Sequence, residues 1–436
     1  MEYRILGRTG LRVSVLGFGA GPISGLFTSA GRSEQIQAAS HAIESGINWF
    51  DTAAGYGEGA SESNLGAVLR AVGASDSVHV ATKVRLTVDD LSDIPTAVRR
   101  SVQQSLERLQ LPRVTLLQLH NGISIQRGDI PTSITVEDVL GPGGVADAFD
   151  MLRNEGSASW FGITGTGHAN CLRKVLRSGR FDTLQIPYHL ANPSAGYPVP
   201  THFSVRDSGP ESDSGNVFAD CVAGNLGVFA IRVYAGGALL EQPPSEYTYR
   251  TQFFPLDLYQ RDLRRAARIR SELPPRVDLA QAALRFSITH PAVHCALIGF
   301  RSPEQIDQAA ATGNPGTTEL PLNDALITDQ RIRYILGLQE VPVMAMADGY
   351  SMASGQLGVV NLHISCGLGN AMGMLYNAYR EGTPLLVTAG QQDRRLAFEE
   401  PILGGDMVAV TKPWTKWSYE VTRVQDLPCL LYTSPS

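Results

Sequence analysis

Four side chains able to donate, accept or stabilise a proton follow short apolar runs early in the chain. Asp51 and Tyr56 follow one run, Lys83 follows the next, and His120 follows the one after that. Singly, each has a common structural explanation: a lysine at a solvated rim, a histidine that satisfies its hydrogen bonds internally, a tyrosine in a glycine-rich turn. If the runs are successive strands of a barrel, their carboxyl ends bring all four side chains to one mouth.

The chemistry that needs this set is the reduction of a carbonyl by hydride. The developing alkoxide must receive a proton, and a tyrosine with an ordinary pKa of about 10 must be tuned toward neutrality to supply it. The ammonium of Lys83 would favour the phenolate form of Tyr56 and so lower its pKa, while Asp51 would keep that ammonium charged and in place. A neutral His120 could orient the carbonyl through a hydrogen bond.

The elements that must position these residues are short apolar runs alternating with helical patterns. Repeated strand–helix units imply parallel strands with right-handed crossovers, and eight such units close into a (β/α)8 TIM barrel of the α/β class. A doubly wound open sheet is the alternative. The predicted strands cover residues 13–18, 47–50, 78–82, 114–119, 159–164, 183–186, 227–231 and 295–299, and the helices residues 34–45, 65–72, 96–109, 145–153, 172–176, 217–223 and 279–288.

Both the opening of the chain and the four candidate residues match one family pattern. The string YRILGRTGL at residues 3–11, together with the four residues in this order, resembles the aldo-keto reductase superfamily and its catalytic tetrad. The resemblance implies that Tyr56 is the general acid/base, that Lys83 and Asp51 tune it, and that His120 positions the carbonyl.

The last predicted strand ends at Gly299 and leads into a helix whose start could bind a phosphate. Ser302 is the expected N-cap, with Gln305 at the capping-box position three residues on. A helix N-terminus at this place in a barrel is a phosphate site, and Arg301 adds a fixed charge suited to a 2′-phosphate. This pattern favours NADP over NAD, although Arg301 could also be an ordinary rim arginine.

Three further cofactor contacts follow from the resemblance. Gln185, in the sixth predicted strand, matches the glutamine that holds the nicotinamide carboxamide. Thr164-Gly165 stands where many members have Ser-Asn; Thr164 can still donate a hydrogen bond, but the asparagine amide is lost. Arg232 stands where an aromatic ring usually stacks on the nicotinamide, and a guanidinium can also stack.

Composition excludes several other classes of function. The chain has 436 residues, 43% of them hydrophobic and 18% charged, with a net charge of −6, which argues against wholesale disorder and against a basic nucleic-acid surface. No apolar stretch predicts a signal core or a membrane helix. The cysteines are scattered without a CxxC pair, which favours a reduced, cytoplasmic location and predicts no metal site.

A second signature begins near residue 312. The string GNPGTTELP at residues 313–321 precedes Glu340 and His363, and this segment resembles the pyrimidine-binding domain of thiamine-diphosphate enzymes of the benzoylformate decarboxylase type. By that resemblance Glu340 is the glutamate that protonates the aminopyrimidine ring, and His363 is an active-site histidine. Thr317 stands where those decarboxylases have a serine, which keeps the hydroxyl.

The predicted domains are therefore an aldo-keto reductase barrel at 1–311, a truncated thiamine-diphosphate domain at 312–428 and a tail at 429–436. The second segment is expected to be a partial α/β fragment, because neither its first strand nor the partner domain that holds the diphosphate and Mg²⁺ is recognisable. Thiamine diphosphate is therefore implied but not expected to bind. The tail resembles translated adapter sequence from library preparation, and a disordered terminus is the alternative.

The sequence predicts an NADP-dependent oxidoreductase that interconverts a small carbonyl compound (aldehyde, ketone or sugar) and its alcohol. Two alternatives stay open: a regulatory barrel that binds NADPH with little turnover, and a thiamine-diphosphate-dependent 2-oxo acid decarboxylase or lyase fused to the barrel. The intact set of four residues argues against the first. Neither the substrate nor the oligomeric state follows from the sequence.

Overall fold

The computed structural model describes residues 1–198, 213–273, 277–313, 339–391, 405–422 and 424–426. The chain divides into two compact units, Met1–Asn314 and Pro315–Ser436. The boundary predicted at 311 falls inside the helix Pro303–Gly313 rather than after it.

The strands of the first unit form a closed barrel preceded by a small hairpin. Its eight parallel strands are β3 to β6 and β9 to β12, which pair in chain order, and β12 returns to pair with β3. The predicted TIM barrel is thus confirmed. In chain order the described strands are β1 (Tyr3–Ile5), β2 (Arg12–Ser14), β3 (Leu16–Gly19), β4 (Trp49–Asp51), β5 (His79–Val84), β6 (Val114–Leu119), β7 (Ile123–Ser124), β8 (Ile134–Thr135), β9 (Ala158–Thr164), β10 (Thr183–Pro187), β11 (Gly227–Ile231), β12 (Cys295–Ile298), β13 (Gly358–Leu362) and β14 (Leu385–Ala389).

The first predicted strand, 13–18, was wrong as a single element. Its first half belongs to β2, which pairs antiparallel with β1, and only β3 enters the barrel. The Val15 backbone N–H donates to the Glu2 carbonyl at 2.9 Å, and the Ser14 hydroxyl donates to the Leu16 carbonyl at 2.6 Å. These local bonds turn the chain between the two pairings, so one apolar run serves two sheets.

Helices follow the barrel strands, as the alternating pattern predicted. The sequence pattern missed the longest helix of the barrel unit, Leu256–Glu272, because two of the residues it buries are Arg261 and Asp262, which bond to each other and interrupt the apolar stripe. In chain order the described helices are α1 (Leu26–Ser29), α2 (Arg32–Glu44), α3 (Ala60–Ala71), α4 (Ile94–Leu109), α5 (Val136–Leu140), α6 (Val145–Glu155), α7 (Ala169–Arg177), α8 (Phe218–Ala223), α9 (Glu246–Arg250), α10 (Leu256–Glu272), α11 (Leu279–Thr289), α12 (Pro303–Gly313), α13 (Glu340–Ser354), α14 (Ile364–Glu381) and α15 (Met407–Thr411).

The barrel interior is packed by large side chains at its amino-terminal end. Trp49 and Phe229 lie with ring centroids 4.6 Å apart, and Leu6 and Val13 of the hairpin region join the same buried cluster. This packing closes the amino-terminal end, and the ionisable residues predicted to carry chemistry lie at the opposite, carboxyl-terminal end, where barrel enzymes place their chemistry.

The second unit is a small α/β arrangement around two parallel strands. β13 and β14 pair in register from Gly358 to Leu362, and α13 and α14 pack with them around Met344, Val360 and Leu368. An α/β fragment of the predicted kind is therefore present among the described residues of this unit.

In the part of the chain described here, no helix has the length and apolarity required to cross a bilayer. The described cysteines, Cys171, Cys221, Cys295 and Cys366, are all free thiols. The cytoplasmic location itself stays a prediction.

Candidate active site

The four residues predicted to carry chemistry meet at the carboxyl-terminal end of the barrel. Asp51 is the last residue of β4, Lys83 is the penultimate residue of β5, and His120 directly follows β6. Tyr56 comes from the turn between β4 and α3. The parallel register, which pairs Asp51 with Ala81 and Lys83 with Gln118, sets the strand ends side by side.

Asp51 and Lys83 form a buried ion pair. The Lys83 ammonium donates to Asp51 Oδ1 and also, at 2.8 Å, to the carbonyl oxygen of Thr52. Lys83 is only 2% exposed and Asp51 only 3%. Each charge therefore depends on the other, because an isolated charge at this depth would be very costly.

Burial and ion pairing shift the pKa values of these two residues in opposite directions. Burial raises the pKa of Asp51, and the Lys83 charge offsets part of that rise. For Lys83, burial is the largest single influence and lowers the pKa, but the Asp51 carboxylate and the Tyr56 hydroxyl together outweigh it and the pKa is raised. The ammonium consequently stays charged across the neutral range.

Tyr56 is half-buried next to the ammonium. The Lys83 nitrogen is 5.0 Å from the centre of the Tyr56 ring. Burial raises the pKa of Tyr56, and the Lys83 charge lowers it by less, so the net direction is upward. The Lys83 charge lowers the pKa of Tyr56, as the sequence suggested, but the effect of burial is larger. Tyr56 thus carries its proton at neutral pH, as a donor to an alkoxide must.

His120 packs edge-on against Tyr56, with ring centroids 5.6 Å apart and planes at 81°. Burial lowers the pKa of His120 well below its ordinary value, and the charges of Arg85 and Lys83 lower it further. The imidazole is therefore neutral, which leaves one ring nitrogen as an N–H donor toward a carbonyl oxygen.

The free energy of unfolding should fall between pH 7 and pH 5.5 because of four half-buried histidines. Burial lowers the pKa of His79, His120, His290 and His294. These groups stay neutral in the folded chain but take up protons in the unfolded chain below about pH 6.5, so protons favour unfolding there. We expect the urea midpoint of the barrel to be lower at pH 5.5 than at pH 7 at constant ionic strength. An unchanged or higher midpoint would contradict this.

Two glutamines that the catalytic pattern does not require lie beneath the ion pair. Gln185 donates to Asp51 Oδ1 at 3.3 Å, and its own Oε1 accepts from Gln118 at 2.8 Å. Gln118 also approaches Asp51 Oδ2 at 3.4 Å. Gln118 was not among the predicted site residues, although a polar residue in the apolar run before His120 is a visible signal in the sequence. Gln185 as a ligand of the nicotinamide carboxamide stays a prediction.

Thr164 ends β9 with an unused hydrogen-bonding group. Its side-chain oxygen is buried and has no hydrogen-bond partner among the described residues, which fits a contact to a polar cofactor group. A Cβ on the following Gly165 would lie 2.8 Å from the Ile186 side chain. The neighbouring strand therefore leaves no room for an asparagine at this position.

Arg232, after β11, adopts a left-handed backbone with φ of 55°. A non-glycine residue in this region costs energy and is common at functional sites. Its guanidinium pairs with Asp262 at 3.3 Å and lies 4.6 Å from the ring centre of Phe254. The Asp262 carboxylate and the Phe254 ring thus hold the Arg232 guanidinium in place.

The predicted phosphate site lies where α12 begins. Ser302 accepts the first helical bond, from Ile306 at 3.4 Å, but Gln305 Oε1 accepts from the backbone N–H of Arg301 at 2.8 Å. The predicted capping box was therefore wrong in detail, because Gln305 reaches one residue further back than Ser302. The exposed Arg301 side chain extends over the turn at Gly25, and Gly299 passes close to Ser24.

In the second unit, two of the three predicted thiamine-related residues come together. Both Glu340 and His363 lie within 3.3 Å of the position that a Cβ on Gly367 would take. Glu340 also accepts from the Asn370 amide at 3.3 Å. Thr317 lies outside the described residues.

Comparison with known proteins identifies the barrel. The family model described as "Aldo/keto reductase family" matches residues 15–318. The chain belongs to the aldo/keto reductase family. Its members are NAD(P)-dependent oxidoreductases that act on carbonyl compounds and alcohols, and this chain is an enzyme of that kind. It is 29% identical to L-galactose dehydrogenase of Arabidopsis thaliana over 71% of this chain and 88% of that protein, and 28% identical to pyridoxal 4-dehydrogenase of Microbacterium luteolum over 70% and 91%.

A solved relative has the same fold as the barrel of this aldo/keto reductase. The aldo-keto reductase AKR11C1 from Bacillus halodurans, in its holo form, superimposes with a TM-score of 0.54 at 22% identity, covering 72% of this chain and 91% of that one. At this identity the likeness concerns the fold.

The segment that begins near residue 312 also matches a known family. The model "Thiamine pyrophosphate enzyme, N-terminal TPP binding domain" covers residues 304–403. Benzoylformate decarboxylase of Pseudomonas aeruginosa is 47% identical over 27% of this chain, but the match spans only 22% of that enzyme. The reductase barrel is therefore joined to a segment similar to about a fifth of a thiamine enzyme, and the predicted chimeric make-up is confirmed.

Proposed function

We propose that this aldo/keto reductase uses NADPH to interconvert a small aldehyde, ketone or sugar with its alcohol, with Tyr56 as the general acid/base. The observation that carries the proposal is the group of Asp51, Tyr56, Lys83 and His120 at the barrel mouth, in which the ion pair is buried and the two rings are half-buried. A charged lysine, a protonated tyrosine and a neutral histidine are the states that carbonyl reduction requires.

The residues would act in sequence on a bound carbonyl. The cofactor, when bound, supplies the hydride to the carbonyl carbon. His120 donates a hydrogen bond that orients the carbonyl oxygen, and Tyr56 transfers its hydroxyl proton to the oxygen as negative charge develops there. The Lys83 ammonium stabilises the resulting phenolate, and Asp51 keeps the ammonium in place.

Several residues fit NADPH. Thr164 offers a buried hydroxyl without a described partner to the nicotinamide side. Arg232 could lie against the nicotinamide ring, and Gln185 could bind its carboxamide. At the other end, the start of α12 and the exposed Arg301 suit the phosphates, the latter as a fixed charge for a 2′-phosphate.

The direct test is the oxidation of NADPH by the purified chain with a panel of aldehydes, ketones and sugars. Turnover of at least one carbonyl supports the proposal. Tight NADPH binding without turnover on any member of the panel would instead favour the regulatory barrel, and absence of both would overturn the cofactor assignment.

Replacing Arg301 should change the cofactor preference. We expect Arg301→Gln to raise the KM for NADPH by about 10- to 100-fold, because a charge-assisted bond to the 2′-phosphate is lost, with little change for NADH. Initial rates with both cofactors measure this. Arg70→Gln, which removes an exposed arginine on α3, is the matched control. An equal change for both cofactors would contradict the assignment.

The proposal does not extend to thiamine chemistry. The matched segment corresponds to 22% of benzoylformate decarboxylase, and one of the three residues predicted for it lies outside the described part of the chain. Glu340 and His363 therefore stay predictions as thiamine-related residues.

A further inference from the structure

A second arginine lies beside the proposed proton donor and has no role in the reaction described above. Arg85 directly follows Val84, the last residue of β5, and is half-buried. Its charge is close enough to act on both Tyr56 and His120. It therefore lies at the barrel mouth, two residues beyond Lys83.

Arg85 and Arg232 are stacked on neighbouring aromatic rings but differ in their countercharges. The guanidinium carbon of Arg85 is 4.0 Å from the ring centre of Phe253, and that of Arg232 is 4.6 Å from Phe254. Arg232 pairs with Asp262. Arg85 has no ion pair with any described residue, and its buried Nε–H has no hydrogen-bond partner among them.

The loop that holds Arg85 is itself firmly positioned. The side chain of Asn121, next to His120, bonds to both backbone groups of Leu86: its amide donates to the Leu86 carbonyl and its oxygen accepts from the Leu86 N–H, both at 2.8 Å. The ring of Phe253 covers one face of the guanidinium. The cation is thus held in place before any ligand arrives, which reduces the entropy lost when it binds an anion.

A fixed, partly desolvated guanidinium without a countercharge is suited to a planar anion, which can accept two parallel hydrogen bonds from it. We propose that Arg85 is a specificity-determining residue that binds a carboxylate on the substrate, so that this enzyme prefers carbonyl compounds that carry a carboxylate at their far end. The inference rests on the proposed function, because it assumes that the carbonyl lies between Tyr56 and His120.

The test compares two substrates that differ in charge: 4-carboxybenzaldehyde and methyl 4-formylbenzoate. The wild-type chain should have a higher kcat/KM for the carboxylate than for the ester. Arg85→Met should lower this ratio by about 10- to 100-fold, which corresponds to one charged hydrogen-bonding contact. Arg85→Lys keeps the positive charge but loses the two parallel N–H donors of the guanidinium. Its ratio should therefore lie between those of Arg85→Met and the wild type. Arg264→Met, on the exposed side of α10, is the control and should leave the ratio unchanged.

A binding measurement that needs no turnover tests the role of Arg85 separately from the proposed reaction. Calorimetry with 4-(hydroxymethyl)benzoate and its methyl ester, with and without NADPH, should show tighter binding of the carboxylate to the wild type and loss of that preference in Arg85→Met. Equal affinities in the wild type, or a preference that survives Arg85→Met, would overturn the role of Arg85. Failure to reduce any carbonyl would overturn the proposed function and leave the binding comparison to decide on Arg85.

Discussion

Tyr56→Phe should lower kcat for carbonyl reduction by about 10²- to 10⁴-fold, the usual contribution of a positioned general acid. The hydroxyl is the group placed to protonate the alkoxide, and its raised pKa keeps it protonated at neutral pH. NADPH affinity should change little, because the substitution preserves the ring that packs against His120. Single-turnover rates and a fluorescence titration of NADPH measure the two quantities separately.

A matched tyrosine elsewhere provides the control for this loss. Tyr249 is 63% exposed, on the short helix α9, and Tyr249→Phe should retain wild-type kcat. If Tyr56→Phe keeps more than about a tenth of the wild-type rate, the general-acid assignment of Tyr56 fails.

Lys83→Met should remove catalysis and also destabilise the barrel by about 3–5 kcal/mol, the typical cost of breaking a buried ion pair by deleting one partner. The substitution leaves the buried Asp51 carboxylate without its ammonium. Urea unfolding of the two proteins measures the difference. The double variant Lys83→Met with Asp51→Asn should regain part of the lost stability, because it leaves no uncompensated charge.

The pH dependence of Lys83→Met has a defined sign. Burial already raises the pKa of Asp51, and loss of Lys83 removes the charge that opposes this rise. A carboxyl group with a raised folded pKa stabilises the fold fully below its unfolded pKa of about 3.9, and this contribution is lost as pH rises through the folded value. The deficit relative to wild type should therefore be smaller at pH 4.5 than at pH 7. A deficit independent of pH would show that Asp51 is not the cause.

Much of the barrel could be predicted because its strands are buried on both faces, so each is a short apolar run. The end of a strand was also predictable to within two residues where an ionisable residue interrupted such a run, as at Asp51, Lys83 and His120. The hairpin was not, because β2 and β3 form one continuous apolar pattern and only backbone pairing with Tyr3–Ile5 separates them.

The parts of the site that could not be predicted depend on contacts between residues that are far apart in the chain. Arg85 was not singled out in the sequence, and its placement against the ring of Phe253, far along the chain, is visible only in the structure. The net pKa direction of Tyr56 was also inaccessible, since the sequence indicates which charges are near but not how deeply the hydroxyl is buried. For the same reason α10 was missed: its buried Asp262 also pairs with Arg232, thirty residues earlier in the chain.

The helix α12 is fixed to the barrel along its first half and ends beside the boundary between the two units. Ile306 and Ala309 are buried in the barrel core, and His41 pairs with Asp307 at 2.6 Å, so the first half of the helix is fixed to the barrel. Its last residue, Gly313, is next to the boundary between the two units. With a rise of about 1.5 Å per residue, some 16 Å of helix separates that boundary from the proposed phosphate end. Fraying that starts at the carboxyl end of α12 must therefore pass these anchors before it reaches the proposed phosphate end, so the barrel core itself fixes the turn on which that proposed site depends.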